Sequence, residues 1–343
     1  SPRPTHPPID DPMNRSAKPH LLLPVILFML SIIPTAFTDD MPVTGRPPPG
    51  KVLLIIGQDS QTIDDYIEAT KVVPGGFMGY TSIQHMEGLT RRSPDYGSGT
   101  FYANNLMKKH PQTVLQLGLY MVGALEKTSQ GAYDGKIEKF SKWLKKTGTP
   151  VYLRIGYECD GAHNHYDPEA YKKAYRYLVD KLRAAGIKQV AYVWHLHAHQ
   201  KDADLDLWYP GDEYVEWVGI SYFSQPHEAM EQVIIFAGKH QKPVMIAEST
   251  PQGIGTLSGK ESWERWFQRF FQFIEDHKIE AVSYINSNWD AQPMWKGQGW
   301  GDARIQANPY VHAQWLKEIS KDKYLKSSKG LYQDLGFSDS FKE

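Results

Sequence analysis

Two glutamates in this sequence each close an otherwise apolar run: Glu158 ends VYLRIGYE and Glu248 ends PVMIAE. A carboxyl at the end of a buried strand is partly desolvated, which raises the cost of ionising it and suits it to hold and release a proton. Two such groups facing each other across a cleft can flank one bond, one as acid and base, the other as nucleophile. Each could instead be neutralised by a neighbour, and Arg154, four residues before Glu158 on the same strand face, is the nearest such partner. A second constellation is HLHAH, in which His195, His197 and His199 alternate along a continuing strand. That spacing could bind zinc, so a metal-dependent hydrolase stands as an alternative. Supporting carboxylate or cysteine ligands are not evident beside it, which favours a structural or ligand-contacting role. The single cysteine, Cys159, excludes an internal disulfide and reads as a small apolar filler.

These residues need a scaffold, and the sequence alternates strand and helix. Continuous apolar runs at 51–57, 75–83, 113–123, 150–158, 189–195, 214–223, 242–249 and 279–288 have the pattern of strands buried on both faces. Between them lie helical periodicities, among them 133–147, ended by Gly148, and a helix with Asp167 as N-cap, Pro168 at its first position and Gly186 as terminator. Others run over 230–240, 261–277 and 309–319. Eight strands interleaved with helices predict a (β/α)8 TIM barrel, a single α/β domain spanning 51–320. A doubly wound sheet would announce itself with a Gly-rich phosphate turn, and GQDSQ at 57–61 is not one. In such a barrel the chemistry sits at the C-terminal ends of the strands. Those ends collect Gln58 and Asp59, Tyr80, Tyr120, Glu158, His195, Tyr222, Glu248, and Asn286 with Trp289.

The chain has 343 residues, 38 basic and 39 acidic, and this balance argues against a nucleic-acid partner, which demands a basic excess. Ten Trp and 20 Tyr exceed what a core requires and suit a groove for a polar ligand with apolar faces, such as a sugar. Trp208, Trp295 and Trp300 fall on loops where rings could stack on one. Residues 1–12 are proline-rich and without periodicity; Met13, Arg15 and Lys18 then precede the apolar run 21–33. This reads as an N-terminal extension and signal peptide over 1–38, too short and proline-interrupted to span a bilayer, and implies a secreted or periplasmic protein. A Pro-rich linker (39–50) precedes the barrel and a C-terminal tail (321–343) follows it. A monomer is expected, with no stable membrane insertion after signal removal.

The segment RIGYECDGAHNHYDPEAY (154–171) resembles glycoside hydrolases of clan A, most closely family 26, in which an Arg lies four residues before the acid/base Glu, as Arg154 precedes Glu158. Gly161 echoes a family glycine just beyond that Glu. KPVMIAEST (242–250) looks like the clan's seventh strand, ended by the nucleophile. The resemblance, covering about 51–320, implies catalytic Glu158 and Glu248 acting by a retaining double displacement on a β-linked polysaccharide or oligosaccharide of mannan, xylan or related type, without a cofactor or metal. It implies Tyr222 as the hydrogen-bond partner of the nucleophile and Trp289 as the aromatic floor beneath the sugar. Family 26 has His directly before the acid/base, whereas this sequence has Tyr157, at a position that ordinarily meets the sugar 2-hydroxyl. Trp194, His195 and Asn164 are the alternative partners for that hydroxyl, and the departure bears on mannan specificity more than on hydrolysis. Arg154, Tyr80 and Asp59 complete the expected substrate-binding set. A catalytically silent carbohydrate-binding barrel is the remaining alternative.

Overall fold

A computed structural model describes residues 43–337. Eight parallel strands form a closed barrel: β1 (Val52–Gly57), β2 (Gly76–Ser82), β3 (Val114–Tyr120), β4 (Val151–Ile155), β5 (Val190–Leu196), β6 (Trp217–Tyr222), β7 (Val244–Ser249) and β8 (Ala281–Ile285). Each pairs with the next, and β8 returns to β1 in register from Leu53↔Ala281 to Gly57↔Ile285. The expected (β/α)8 barrel is therefore the observed one. The proposed signal peptide and the first residues of the linker lie outside the described residues. Among the described residues no helix is long and apolar enough to cross a membrane.

Helices begin where side chains satisfy their free N–H groups. Asp167 accepts from the Ala170 amide at 2.8 Å, with Pro168 behind it, and Asn308 caps the helix Pro309–Ile319 in the same way. The helix Asp134–Thr147 ends at Gly148, whose φ of 62° is the left-handed stop that glycine adopts at least cost.

Strand alternation divides the core in two. Leu53, Ile55, Met78, Tyr152, Val193, Trp217 and Met245 fill the barrel interior, whereas Leu54, Ile56, Leu153, Trp194, Ile220, Tyr222 and Ile246 meet the helices. The packed unit extends beyond 51–320. At the N-terminal end of the barrel the Tyr152 hydroxyl donates to Gly45 O, and Trp217 Nε1 donates to Thr44 O at 2.9 Å. Phe337 packs edge-on against Tyr152, and a ninth strand, Tyr324–Leu325, joins β1. These segments close the bottom of the barrel, so polar side chains of the interior gather at the opposite end, where the strands finish.

Candidate active site

β4 stops at Ile155, three residues before Glu158, so the glutamate sits in a turn beyond the strand. The chain turns at Gly156 (φ 57°) and again at Glu158 itself (φ 51°). A left-handed residue with a side chain costs free energy and persists where its surroundings over-determine it. Here the Asn164 amide donates to the carbonyls of Tyr157 (3.0 Å) and Glu158 (2.9 Å), and the Gly161 amide also donates to Glu158 O.

Glu248 reaches the barrel interior by a different device. Val244 and Ile246 face the helices, and plain alternation would send residue 248 the same way. The β6–β7 register shifts, however: Ile220 pairs with Ile246, but Ser221 pairs with Glu248. The extra residue, Ala247, forms a bulge that turns Glu248 inward.

The two carboxylates are joined by one hydrogen-bonded chain. Arg154, fully buried, donates from Nη1 to Glu248 Oε1 at 2.5 Å, and the same nitrogen lies 3.3 Å from His195 Nδ1. His195 Nε2 is 3.0 Å from Ser221 Oγ, and Ser221 donates to Glu158 Oε1 at 2.6 Å. Arginine only donates, so His195 Nδ1 must accept and Nε2 carries the proton. Burial and the adjacent guanidinium push the His195 pKa well down, which keeps the ring neutral. Tyr80 adds a second donor to Glu248 Oε1 at 2.7 Å, and among the described residues no donor meets Oε2. Gly118 makes room for this arrangement. A Cβ there would stand 2.6 Å from the Tyr80 ring and 2.8 Å from Arg154 Nη2.

The charge states of the two glutamates follow from these partners. Burial, the largest influence, and the proximity of Glu158 raise the Glu248 pKa, while Arg154 and Tyr80 oppose them. We assign the ionised form, because a permanent cation in direct contact is best satisfied by a carboxylate. Burial also acts to raise Glu158, but the His163 hydrogen bond, then the His197 imidazole where it is protonated, and the Ser221 hydroxyl bring it to about 2. His163 Nε2 lies 3.0 Å from Glu158 Oε2, and this contact raises the pKa of His163, whose side chain is half-exposed.

Several residues expected to touch substrate are occupied otherwise. Tyr222 corrects the expectation of a partner for Glu248: it follows inward-facing Ser221, so alternation points it at the helices, where its hydroxyl meets His227 Nε2 at 3.0 Å. Trp194 likewise precedes inward-facing His195 and packs outward against Tyr209 and Phe236. His195, with both ring nitrogens engaged and no exposed surface, is a link between the glutamates and not a sugar contact. Arg154 is equally enclosed, and it pairs with Glu248 across the barrel instead of with Glu158. Asn164 is committed to the turn. Asp59 is spent as the N-cap of Ser60–Thr70, accepting from the Gln61 and Thr62 amides and the Thr62 hydroxyl. Trp289 is 2% exposed, with Nε1 donating to Thr250 Oγ1, so its rings offer no open face. The half-buried Trp295 and Trp300 pack against it at 5.2 and 5.0 Å and carry the accessible aromatic surface.

Ser221, Gly118 and the role of His163 escaped the sequence reading. Ser221 was available from alternation along β6, and a glycine inside a strand signals close approach. His163 gave no such signal, because its direction depends on the left-handed turn at Glu158. Nor do the three strand-five histidines converge. β5 ends at Leu196, His197 stacks on His199 with ring centroids 3.4 Å apart, and His195 stays in the interior.

A parallel barrel carrying two buried glutamates at its C-terminal mouth defines the class: a (β/α)8 glycoside hydrolase. Residues 75–291 match the model of glycosyl hydrolase family 26, and the chain belongs to that family. It is 32% identical over 315 residues to a β-1,3-xylanase of an Alcaligenes species, a match covering 83% of this chain and 67% of that protein. It is 31% identical over 318 residues to the β-1,3-xylanase TXYA of a Vibrio species, covering 84% and 69%. The fold is that of the family 26 β-mannanase of Bacteroides ovatus, with a TM-score of 0.63 and 15% identity over 85% of this chain and 94% of that one.

Proposed function

We propose that this enzyme hydrolyses β-1,3-linked xylan with retention of configuration, Glu158 acting as acid and base and Glu248 as nucleophile. The observation that carries the roles is the asymmetry of the two carboxylates. Glu248 is held by a fixed cation and a tyrosine through one oxygen, whereas Glu158 is bonded to a neutral hydroxyl and to a half-exposed histidine. The first environment suits an anion that attacks; the second suits a group that exchanges protons with its surroundings. Glu248 Oε2 attacks the anomeric carbon while the proton shared by His163 and Glu158 passes through the Glu158 carboxyl to the departing glycosidic oxygen, giving a glycosyl-enzyme. Glu158, now a carboxylate, takes a proton from water, and that water displaces Glu248 from the sugar. The Arg154–His195–Ser221 chain holds both carboxylates in place through the cycle. The choice of xylan rests on the two β-1,3-xylanases, whose similarity spans more than four-fifths of this chain. Export and action as a monomer belong to the same reading; the first is supported by the basic-then-apolar pattern of residues 13–38.

The test has two parts. Purified enzyme is offered β-1,3-xylan, β-1,4-xylan, mannan and β-glucan, and reducing ends should appear at least tenfold faster from β-1,3-xylan. Glu158→Ala should still glycosylate Glu248 with a dinitrophenyl glycoside, whose leaving group needs no proton, and azide should restore its turnover. Azide rescue of Glu248→Gln and not of Glu158→Ala would exchange the roles.

A further inference from the structure

Glu158 lies in a second constellation besides the catalytic one. Ligand atoms of Glu158, His163 and His197 all lie within 4.8 Å of one another. The three come from separate places: the turn after β4, the short helical turn Ala162–Asn164, and the loop after β5. The last two are tied to the first, since Asp160 accepts the backbone amides of His197 (2.5 Å) and Ala198 (3.3 Å) and the His163 ring meets the His197 ring edge-on at 5.2 Å. We infer that Glu158, His163 and His197 form a binding site for a zinc-type divalent cation, and that the bound ion reversibly inhibits hydrolysis.

Two imidazoles and a carboxylate are a complete protein set for an open tetrahedral zinc site, with water in the fourth position. Ligand bonds of about 2.0–2.2 Å place tetrahedral ligand atoms roughly 3.3 Å apart. The Glu158–His163 separation of 3.0 Å already matches, and His163, half-exposed on a short turn, can adjust toward His197. Nitrogen donors select zinc, copper or nickel over magnesium and calcium, which take oxygen. An ion there occupies Glu158 Oε2 and displaces the His163 proton from it, so the carboxyl cannot protonate a glycosidic oxygen. The inhibition rests on Glu158 being the acid; the site itself does not.

Full-length enzyme freed of metal with a chelator is titrated with cobalt(II), read by its visible absorption, and then with zinc. Hydrolysis is followed in parallel. One equivalent of cobalt should give a four-coordinate spectrum that zinc abolishes. Saturating zinc should cut the rate more than tenfold, and excess chelator should restore it. In His197→Ala the spectrum should vanish and the ratio of rates with and without zinc should stay within twofold of one; His163→Ala should behave alike. No spectrum at one equivalent, or an unchanged spectrum in both variants, would overturn the site. A bound ion with undiminished hydrolysis would overturn the inhibition, and with it the role given to Glu158.

Discussion

Removing the Tyr80 hydroxyl separates the two tyrosines that could steady Glu248, the proposed nucleophile. In Tyr80→Phe the ring remains beside Arg154, but Glu248 Oε1 loses a donor at 2.7 Å and keeps the one from Arg154. A hydrogen bond to a charged group contributes about 1.5–3 kcal/mol, so kcat/KM should fall roughly tenfold to 150-fold. The hydroxyl also lowers the Glu248 pKa, so its loss raises that pKa and moves the acid limb of the kcat/KM profile to higher pH. Tyr222→Phe is the matched control. Its hydroxyl bonds His227 on the helix-facing side of β6, so its removal should cost about 0.5–1.5 kcal/mol of stability and leave kcat/KM within about twofold. The assay is kcat/KM on a soluble β-1,3-xylooligosaccharide from pH 4 to 9, with thermal unfolding alongside. A large loss in Tyr222→Phe with none in Tyr80→Phe would refute the bulge-directed geometry of Glu248.

Gly118→Ala places a Cβ 2.6 Å from the Tyr80 ring and 2.8 Å from Arg154 Nη2, so stability should drop by about 1–3 kcal/mol, and kcat/KM should fall with it even well below the melting temperature. Undisturbed kinetics would show that neither side chain needs its observed position. The Glu158–His163 contact should stabilise the fold within a window. Glu158 is lowered to about 2, so its contribution is complete above the ordinary value of 4.5 and is lost as pH falls toward 2. His163 is raised, so its contribution is complete below 6.5 and is lost as pH rises through the higher folded value. In chelator-containing buffer, the difference in unfolding temperature between wild type and His163→Ala should therefore peak between those limits; a difference flat with pH would refute the pair. Tyr157 remains the half-buried ring before Glu158 after Trp194, His195 and Asn164 are otherwise engaged. Tyr157→Phe should then lower kcat/KM by more than the roughly tenfold of one neutral hydrogen bond if it meets the 2-hydroxyl in the transition state, read on xylosides against their 2-deoxy analogues.

The strands and helices were legible because their signals are local. Apolar runs, the Asp167–Pro168 cap and the Gly148 stop each act within a few residues, and all eight strands lie inside the expected runs except for one residue at the end of β5. The two glutamates were legible for the same reason, as polar endings to apolar runs. Alternation along β5 and β6 further dictated that Trp194 and His195, or Ser221 and Tyr222, face opposite ways, so only one of each pair could reach the interior. What the sequence could not carry was register between strands distant in the chain. The one-residue shift that pairs Ser221 with Glu248 turns that carboxylate from the helix layer into the barrel, and no local pattern at 244–249 marks it. Arg154 shows the same limit: four residues from Glu158 in sequence, it binds Glu248, 94 residues away, because closing the barrel brings that oxygen within 2.5 Å. His163 meets Glu158 only after the left-handed turns at Gly156 and Glu158 have redirected the chain, and those turns are held by Asn164. Local sequence determined which backbone each segment adopts; ring closure, the bulge and the strained turn decided which partner each charged group meets.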